Sequence, residues 1–202
     1  MNCGISAALI GAAGSCAMAQ CPLQWSATGF GPSGALVSPY LTNADMVMWD
    51  PDLDGPMTPR VVVATGWLEM SPRVYGLAAW NPADGSWETS LGNSGGKFIA
   101  VLPDNTIVVA GHVYSYDGQF FRNVARWNGS AWITMGDGIY GTVTGLAASG
   151  DGVVVIGQNP GNIGQVRVWH PDTGWQAIHT GIAGQLHAVI SLDNGDVIVG
   201  GT

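Results

Sequence analysis

The chain has 202 residues, of which 31 are glycine and 11 are proline, so about a fifth of it consists of residues that interrupt regular structure. Charged residues make up only 10 %, whereas 47 % are hydrophobic and nine are tryptophan, which excludes a disordered chain. One lysine and two glutamates disfavour a helical protein, and the net charge of −8 disfavours a nucleic acid or an anionic membrane as partner. The composition therefore predicts a turn-rich, all-β globular protein.

The first 19 residues resemble a targeting segment. Residues 5–13 form a short apolar run, and residues 17–19 have the small-x-small pattern that precedes a cleavage site. We predict a secretory signal peptide cleaved after Ala19, and hence a secreted or cell-surface protein. The run is too short to be a transmembrane segment. Cys21 is then the single mature cysteine, which is free, pairs with another chain, or had its partner in sequence absent here.

The mature region is repetitive. Four valine-rich runs close on glycine at Gly66, Gly111, Gly157 and Gly201, in steps of 45, 46 and 44 residues. Because apolar residues in these runs are consecutive, we predict strands that are covered on both faces. A further strand precedes each run, joined to it by Gly, Asn and Asp residues typical of tight turns.

Tryptophan pairs follow the first three runs. Six of the nine tryptophans belong to these pairs, which are Trp80 and Trp87, Trp127 and Trp132, and Trp169 and Trp175. Each pair predicts a third and a fourth strand joined by a polar turn. The repeat is thus about 45 residues of four short strands, which is the size of one blade of a β-propeller.

This order of strands resembles the kelch motif, as found in kelch proteins and in the central propeller of galactose oxidase. Residues 123–158 also resemble repeats of large, secreted, mostly uncharacterised bacterial propeller proteins. The resemblance implies kelch-like blades at approximately 45–92, 97–138 and 142–181, and an incomplete blade at 185–202.

Residues 23–29 match the fourth strand of a repeat, so we expect an outer strand that closes the ring. About three complete blades are too few to close. We therefore expect the chain to be the N-terminal fragment of a longer product that forms a six- or seven-bladed ring.

One segment has the pattern of a metal site. Asp50, Asp52 and Asp54 alternate before Gly55, as carboxylates do at the start of a calcium loop. The twelfth position, where an EF-hand has glutamate, is Val61. The three aspartates are the metal candidates, and a plain turn between the first two strands is the alternative. Calcium is the only cofactor that the sequence indicates.

The sequence contains no catalytic motif. The pattern Gly-x-Ser-x-Gly, a complete phosphate loop and a dinucleotide fingerprint are missing from it, and the four histidines lack zinc-ligand spacing. The copper chemistry of galactose oxidase does not carry over, because Cys21 is far from any matching motif. The sequence therefore nominates no catalytic residues.

Aromatic residues outside the repeat are the candidates for ligand binding. Tryptophans that recur once per repeat are predicted to pack between neighbouring blades, whereas Trp67 and Tyr116 are off the repeat. We expect a non-catalytic propeller that serves as a scaffold or binding module for an extracellular polysaccharide or protein. The alternative is the propeller portion of a secreted carbohydrate-active enzyme or oxidase whose active residues lie outside this chain.

Overall fold

A computed structural model of the chain describes residues 45–53, 55–64, 77–88, 91, 95–113, 115–116 and 119–202. Regular structure in these residues consists of sixteen β-strands, without a helix. The all-β prediction is confirmed. The predicted signal peptide and the predicted strand at 23–29 lie outside the described residues.

The strands form three four-stranded antiparallel sheets and two two-stranded pairs. Sheet 1 contains β1 (Asp45–Trp49), β2 (Arg60–Ala64), β3 (Leu77–Asn81) and β4 (Ser86–Glu88), hydrogen-bonded in that order. Sheet 3 contains β11 (Thr142–Ser149), β12 (Gly152–Gln158), β13 (Gly164–His170) and β14 (Gly174–Ile182), also in chain order. Sheet 4 pairs β15 (Leu186–Ser191) with β16 (Val197–Gly201).

Sheet 2 has the same order of strands with a hairpin inserted. The chain runs through β5 (Phe98–Val101), β6 (Ile107–Ala110), β7 (Ser115–Tyr116), β8 (Gln119–Phe120), β9 (Val124–Trp127) and β10 (Trp132–Thr134). The sheet itself is β5-β6-β9-β10, and β7 pairs only with β8. The hairpin was not predicted from the sequence.

Strands β6 and β12 are covered on both faces because each lies between two neighbouring sheets. In β6, Ile107 and Val109 pack against sheet 1, whereas Val108 and Ala110 pack against sheet 3. Successive side chains of a strand point to opposite faces, so an apolar neighbour on each side requires every residue to be apolar. The prediction is confirmed for β6 and β12. It is wrong for β16, where Ile198 is 52 % exposed because no sheet in the described part of the chain covers that face.

The first strands of the sheets follow one another in space. Strand β1 contacts β5, β5 contacts β11, and β11 contacts β15. Apolar clusters fill the space between sheets 1 and 2, between sheets 2 and 3, and between sheets 3 and 4. The sheets are therefore stacked face to face in chain order, with their first strands adjacent.

A tryptophan of the fourth strand links each of two sheets to the preceding one. The indole Nε1–H of Trp132 donates to the carbonyl oxygen of Leu91 at 2.6 Å, and that of Trp175 donates to the carbonyl oxygen of Met135 at 2.6 Å. Leu91 and Met135 both follow the fourth strand of their own sheet. The sequence repeat thus reproduces one specific hydrogen bond between sheets.

Candidate functional site

The two ends of the sheets differ in how their strands are connected. Because consecutive strands are antiparallel, connections from the first strand to the second and from the third to the fourth lie at one end. We call this the turn end, and in sheets 2 to 4 it consists of tight turns such as 102–106, 128–131 and 192–196. The opposite, loop end holds residues 111–123, 135–141 and 159–163.

The turns of the turn end repeat in atomic detail. Leu102 N donates to Thr106 O at 2.9 Å, and Leu192 N donates to Asp196 O at 2.8 Å. Asn105 and Gly195 take the same place with φ values of 65° and 88°, where asparagine and glycine are tolerated. These turns serve the fold.

A pocket of about 370 Å³ opens at the loop end, where the first strands of the four sheets begin. We call it the first-strand pocket. It receives one residue or more from each sheet, and its lining includes Asp45, Lys97, Phe98, Thr144, Leu146 and His187.

Three polar residues of this pocket hold equivalent places in successive sheets. Phe98 pairs with Ala110, Gly145 with Ile156, and Ala188 with Gly200. Each partner lies three residues after the first residue of its valine-rich run, which is Ile107, Val153 or Val197. The three first-strand positions are therefore equivalent. The residue before each of these first-strand positions is Lys97, Thr144 or His187. The pairing register shifts at Thr144 and His187, and such β-bulges commonly redirect a side chain next to a functional site.

The carboxylate of Asp45 is fixed by backbone donors. Met46 N donates to its Oδ1 at 3.0 Å, and Ile99 N donates to its Oδ2 at 3.1 Å. The second bond joins β1 to β5. Each carboxylate oxygen has further lone-pair capacity, so Asp45 is a positioned acceptor at the pocket.

The other polar groups of the pocket have hydrogen-bonding capacity that the described residues do not use. Lys97 Nζ lies 5.6 Å from the ring centroid of Phe98, and the ion pairs among the described residues involve Arg60, Arg126 and His170 instead. Thr144 Oγ1 is a buried atom without a hydrogen-bond partner in the described part of the chain. His187 Nε2 lies 3.4 Å from Thr202 Oγ1.

Exposed aromatic residues also lie at the loop end. Phe120 is 60 % exposed and Tyr140 is 54 % exposed. The Arg122 guanidinium stands 4.7 Å from the Tyr140 ring centroid and donates to the Tyr140 hydroxyl. Gln165 Nε2 donates to the Tyr140 carbonyl oxygen at 3.0 Å, and this bond holds Tyr140 against sheet 3.

A cluster of polar and charged side chains surrounds Asp104 at the turn end of sheet 2. Burial acts to raise the pKa of Asp104, but hydrogen bonds from Thr106 and the nearby Arg126 guanidinium outweigh it and hold the pKa below 3.8. Thr106 Oγ1 donates to Asp104 Oδ1 at 2.5 Å. This cluster fixes a turn and the strand beside it.

The aspartates proposed as calcium ligands lie at the turn end of sheet 1. Asp50 Oδ1 accepts from Asp52 N at 3.4 Å, and Asp52 Oδ2 accepts from Met57 N at 3.0 Å. Asp54 lies outside the described residues. The segment also packs on the next turn, because Asn105 Nδ2 donates to the Asp50 carbonyl oxygen. These bonds are those of a turn, and calcium binding stays a prediction.

The predicted ligand-binding aromatics belong to connections between second and third strands. Trp67 lies outside the described residues. Tyr116 is in β7, paired with Gln119 of β8, within the loop-end connection of sheet 2, and its side chain is not described. The structure therefore assigns Tyr116 to the loop end but does not bring it to the first-strand pocket.

None of the pocket residues was a binding candidate from the sequence. Asp45, Lys97 and Thr144 are far apart in sequence and belong to no motif. One signal was available, since Lys97 is the single lysine of the chain and immediately precedes a first strand.

A search for metal centres and membrane-spanning helices covers the described part of the chain. In the described ranges, no group of three or more His, Cys, Asp or Glu side chains is placed to hold a metal ion. The same residues include no helix long and apolar enough to cross a membrane.

Comparison with protein-family models and with curated proteins finds no match to this chain. Function is therefore inferred from the pocket and the fold.

Proposed function

We propose that the chain is a secreted, non-catalytic kelch-like β-propeller module that binds an extracellular polysaccharide or protein at its loop end. The observation that carries the binding role is the first-strand pocket, in which four successive sheets contribute side chains to one cavity. Ligand sites are commonly concave, with a few convergent polar groups on an apolar wall. The pocket has this composition.

The propeller proposal is supported by the way the sheets are stacked. First strands are adjacent in the order β1, β5, β11 and β15, and each sheet packs its face on the next. In a propeller the first strands of the blades surround a central axis. The recurring bonds of Trp132 and Trp175 fit a radial repeat, in which each blade contacts only its neighbours.

Secretion is supported by the leader-like sequence of residues 1–19, and the lack of a catalytic motif supports a binding role. The test is to express the full chain in a secreting host and to determine the N-terminus of the exported product. That product is then applied to an array of polysaccharides and to extracellular proteins. We expect an N-terminus at Gln20 and binding without release of new reducing ends.

Retention of the product inside the host contradicts the secretion proposal. Release of reducing ends from a polysaccharide, or oxidation of its hydroxyl groups, contradicts the non-catalytic proposal. A flat response to all polysaccharides and proteins contradicts the binding proposal.

A further inference from the structure

We propose that the first-strand pocket binds one neutral sugar residue of a polysaccharide, through Lys97, Thr144 and Asp45. This inference rests on the proposed function and narrows it, because it selects uncharged carbohydrate over protein and over acidic polysaccharide. The observation that carries it is that three sheets bring a carboxylate (Asp45), an ammonium group (Lys97) and a hydroxyl group (Thr144) to one pocket. The apolar side chains of Phe98 and Leu146 line the same pocket.

The charges around the pocket select a neutral ligand. Asp45 contributes a carboxylate and Lys97 an ammonium group, so their formal charges cancel. An anionic ligand would meet Asp45 and the overall charge of −8, and a cationic ligand would meet Lys97. An uncharged ligand is repelled by neither Asp45 nor Lys97.

Hydrogen-bonding capacity selects hydroxyl groups. An ammonium group only donates, a carboxylate only accepts, and a threonine hydroxyl does both. A sugar hydroxyl group also donates and accepts, so adjacent hydroxyls can satisfy Lys97 and Asp45 together. Thr144 Oγ1 is buried and has no partner in the described residues, so rotation of this side chain toward the pocket would give its hydroxyl group a partner in the complex.

The apolar wall suits the other face of a sugar ring. Phe98 and Leu146 are half-buried members of the cluster between sheets 2 and 3, and both line the pocket. Carbon-bound hydrogens of a pyranose ring form an apolar surface that packs on such side chains. The amphipathic wall thus matches a ligand with polar edges and an apolar face.

The pocket volume is compatible with a sugar ring. Its 370 Å³ lies near the lower end of the range of about 300–1,000 Å³ typical of small-molecule sites. The pocket is open to solvent, so this volume accommodates one ring without limiting the length of the ligand. His187 and Ala188 at its margin are exposed, so the rest of a polysaccharide chain can extend into solvent.

The test measures affinity for the neutral polysaccharides galactomannan, xyloglucan and dextran, and for the acidic polygalacturonate and alginate. Affinity gel electrophoresis and calorimetry are performed on the full secreted chain. We expect binding to at least one neutral polysaccharide and none to the acidic ones. Lys97→Gln should weaken that binding about tenfold or more, and Thr144→Val about threefold to tenfold.

Asp193→Asn is the matched control, because it removes a charge at an exposed position of the turn end. It should leave the affinity unchanged. Thermal unfolding of each variant separates lost binding from lost folding. Thr144→Val keeps the shape of its side chain, so it remains informative if Lys97→Gln fails to fold.

The failures of the two proposals are distinguishable. Unchanged affinity in folded Lys97→Gln and Thr144→Val overturns the pocket assignment and leaves the binding function standing. Binding to acidic polysaccharide alone, or to a protein alone, overturns the neutral-sugar inference. No binding to any probe overturns the proposed function itself.

Discussion

The turn end and the loop end of the sheets are built from the same strands but obey different constraints. At the turn end, Asx-type bonds recur from sheet to sheet, as Asn128 Oδ1 accepting from Ser130 N at 3.0 Å and Asn194 Oδ1 accepting from Asp196 N at 3.0 Å illustrate. At the loop end the connections differ from one another: 159–163 is a tight turn of the same Asx type, with Asn159 Oδ1 accepting from Gly161 N at 2.9 Å, whereas the connection between β6 and β9 contains a hairpin. Repetition at one end and variation at the other indicate that the turn end maintains the fold and the loop end carries recognition.

This difference predicts that turn-end variants change stability, whereas loop-end variants change binding. We call the residues that recur from sheet to sheet, such as Trp132 and Trp175, the repeated framework.

Trp132→Ala should give the largest loss of stability. Trp132, beside the turn 128–131, is only 3 % exposed and lies in the cluster between sheets 1 and 2. Removing a buried tryptophan side chain costs about 3–5 kcal/mol of unfolding free energy. The loop-end control Phe120→Ala should change stability by less than about 0.5 kcal/mol. Urea unfolding compares the two, and equal losses would contradict the assignment of stability to the repeated framework.

Trp175→Phe should give an intermediate loss. The substitution leaves an aromatic ring but removes the N–H that donates to the Met135 carbonyl oxygen, at a cost of about 1–3 kcal/mol. Trp127→Phe is the matched control, because the indole Nε1 of Trp127 has no hydrogen-bond partner in the described residues. If thermal unfolding shows a loss for Trp127→Phe as large as that for Trp175→Phe, the hydrogen bond between sheets is not the stabilising feature.

Acidification should produce the smallest effect. The pKa of Asp104 is lower in the folded chain than its ordinary value of 3.8, so the unfolded state binds the proton first. The stabilisation is therefore complete above about pH 4 and is lost as the pH falls through the folded pKa. Asp104→Asn should be less stable than the parent chain at neutral pH, and this difference should shrink below about pH 4.

Asp193→Asn changes a carboxylate in the corresponding turn of sheet 4 and serves as the reference for the acid series. Melting temperatures measured across the acidic range give the comparison. A constant difference between Asp104→Asn and the parent chain at every pH would mean that the contacts of Thr106 and Arg126 do not depend on the charge of Asp104.

The repeated framework could be predicted from sequence because its signals are local. A run such as 107–110 specifies a strand between two apolar neighbours, and Asn or Gly after an aspartate specifies a turn. The Trp132 and Trp175 positions were recognised as packing residues. Their carbonyl partners, Leu91 and Met135, were not, since a backbone acceptor leaves no mark in the sequence.

The first-strand pocket could not be predicted because its residues meet only through the stacking of sheets. Asp45 and His187 are separated by most of the described chain, and Thr144 reaches the pocket through a shift in strand register. A β-bulge of this kind has no reliable sequence pattern. The β7–β8 hairpin was missed for a related reason, because two-residue strands carry no periodicity.

Hydrogen exchange on the full secreted chain, with and without the strongest-binding neutral polysaccharide, tests most directly whether recognition belongs to the loop end. We predict that the polysaccharide slows exchange at 95–98, 144–146 and 186–189, while exchange at the turns 102–106, 128–131 and 192–196 is unchanged. Protection confined to those turns, with none around the first-strand pocket, would contradict the division of the molecule into a framework end and a binding end.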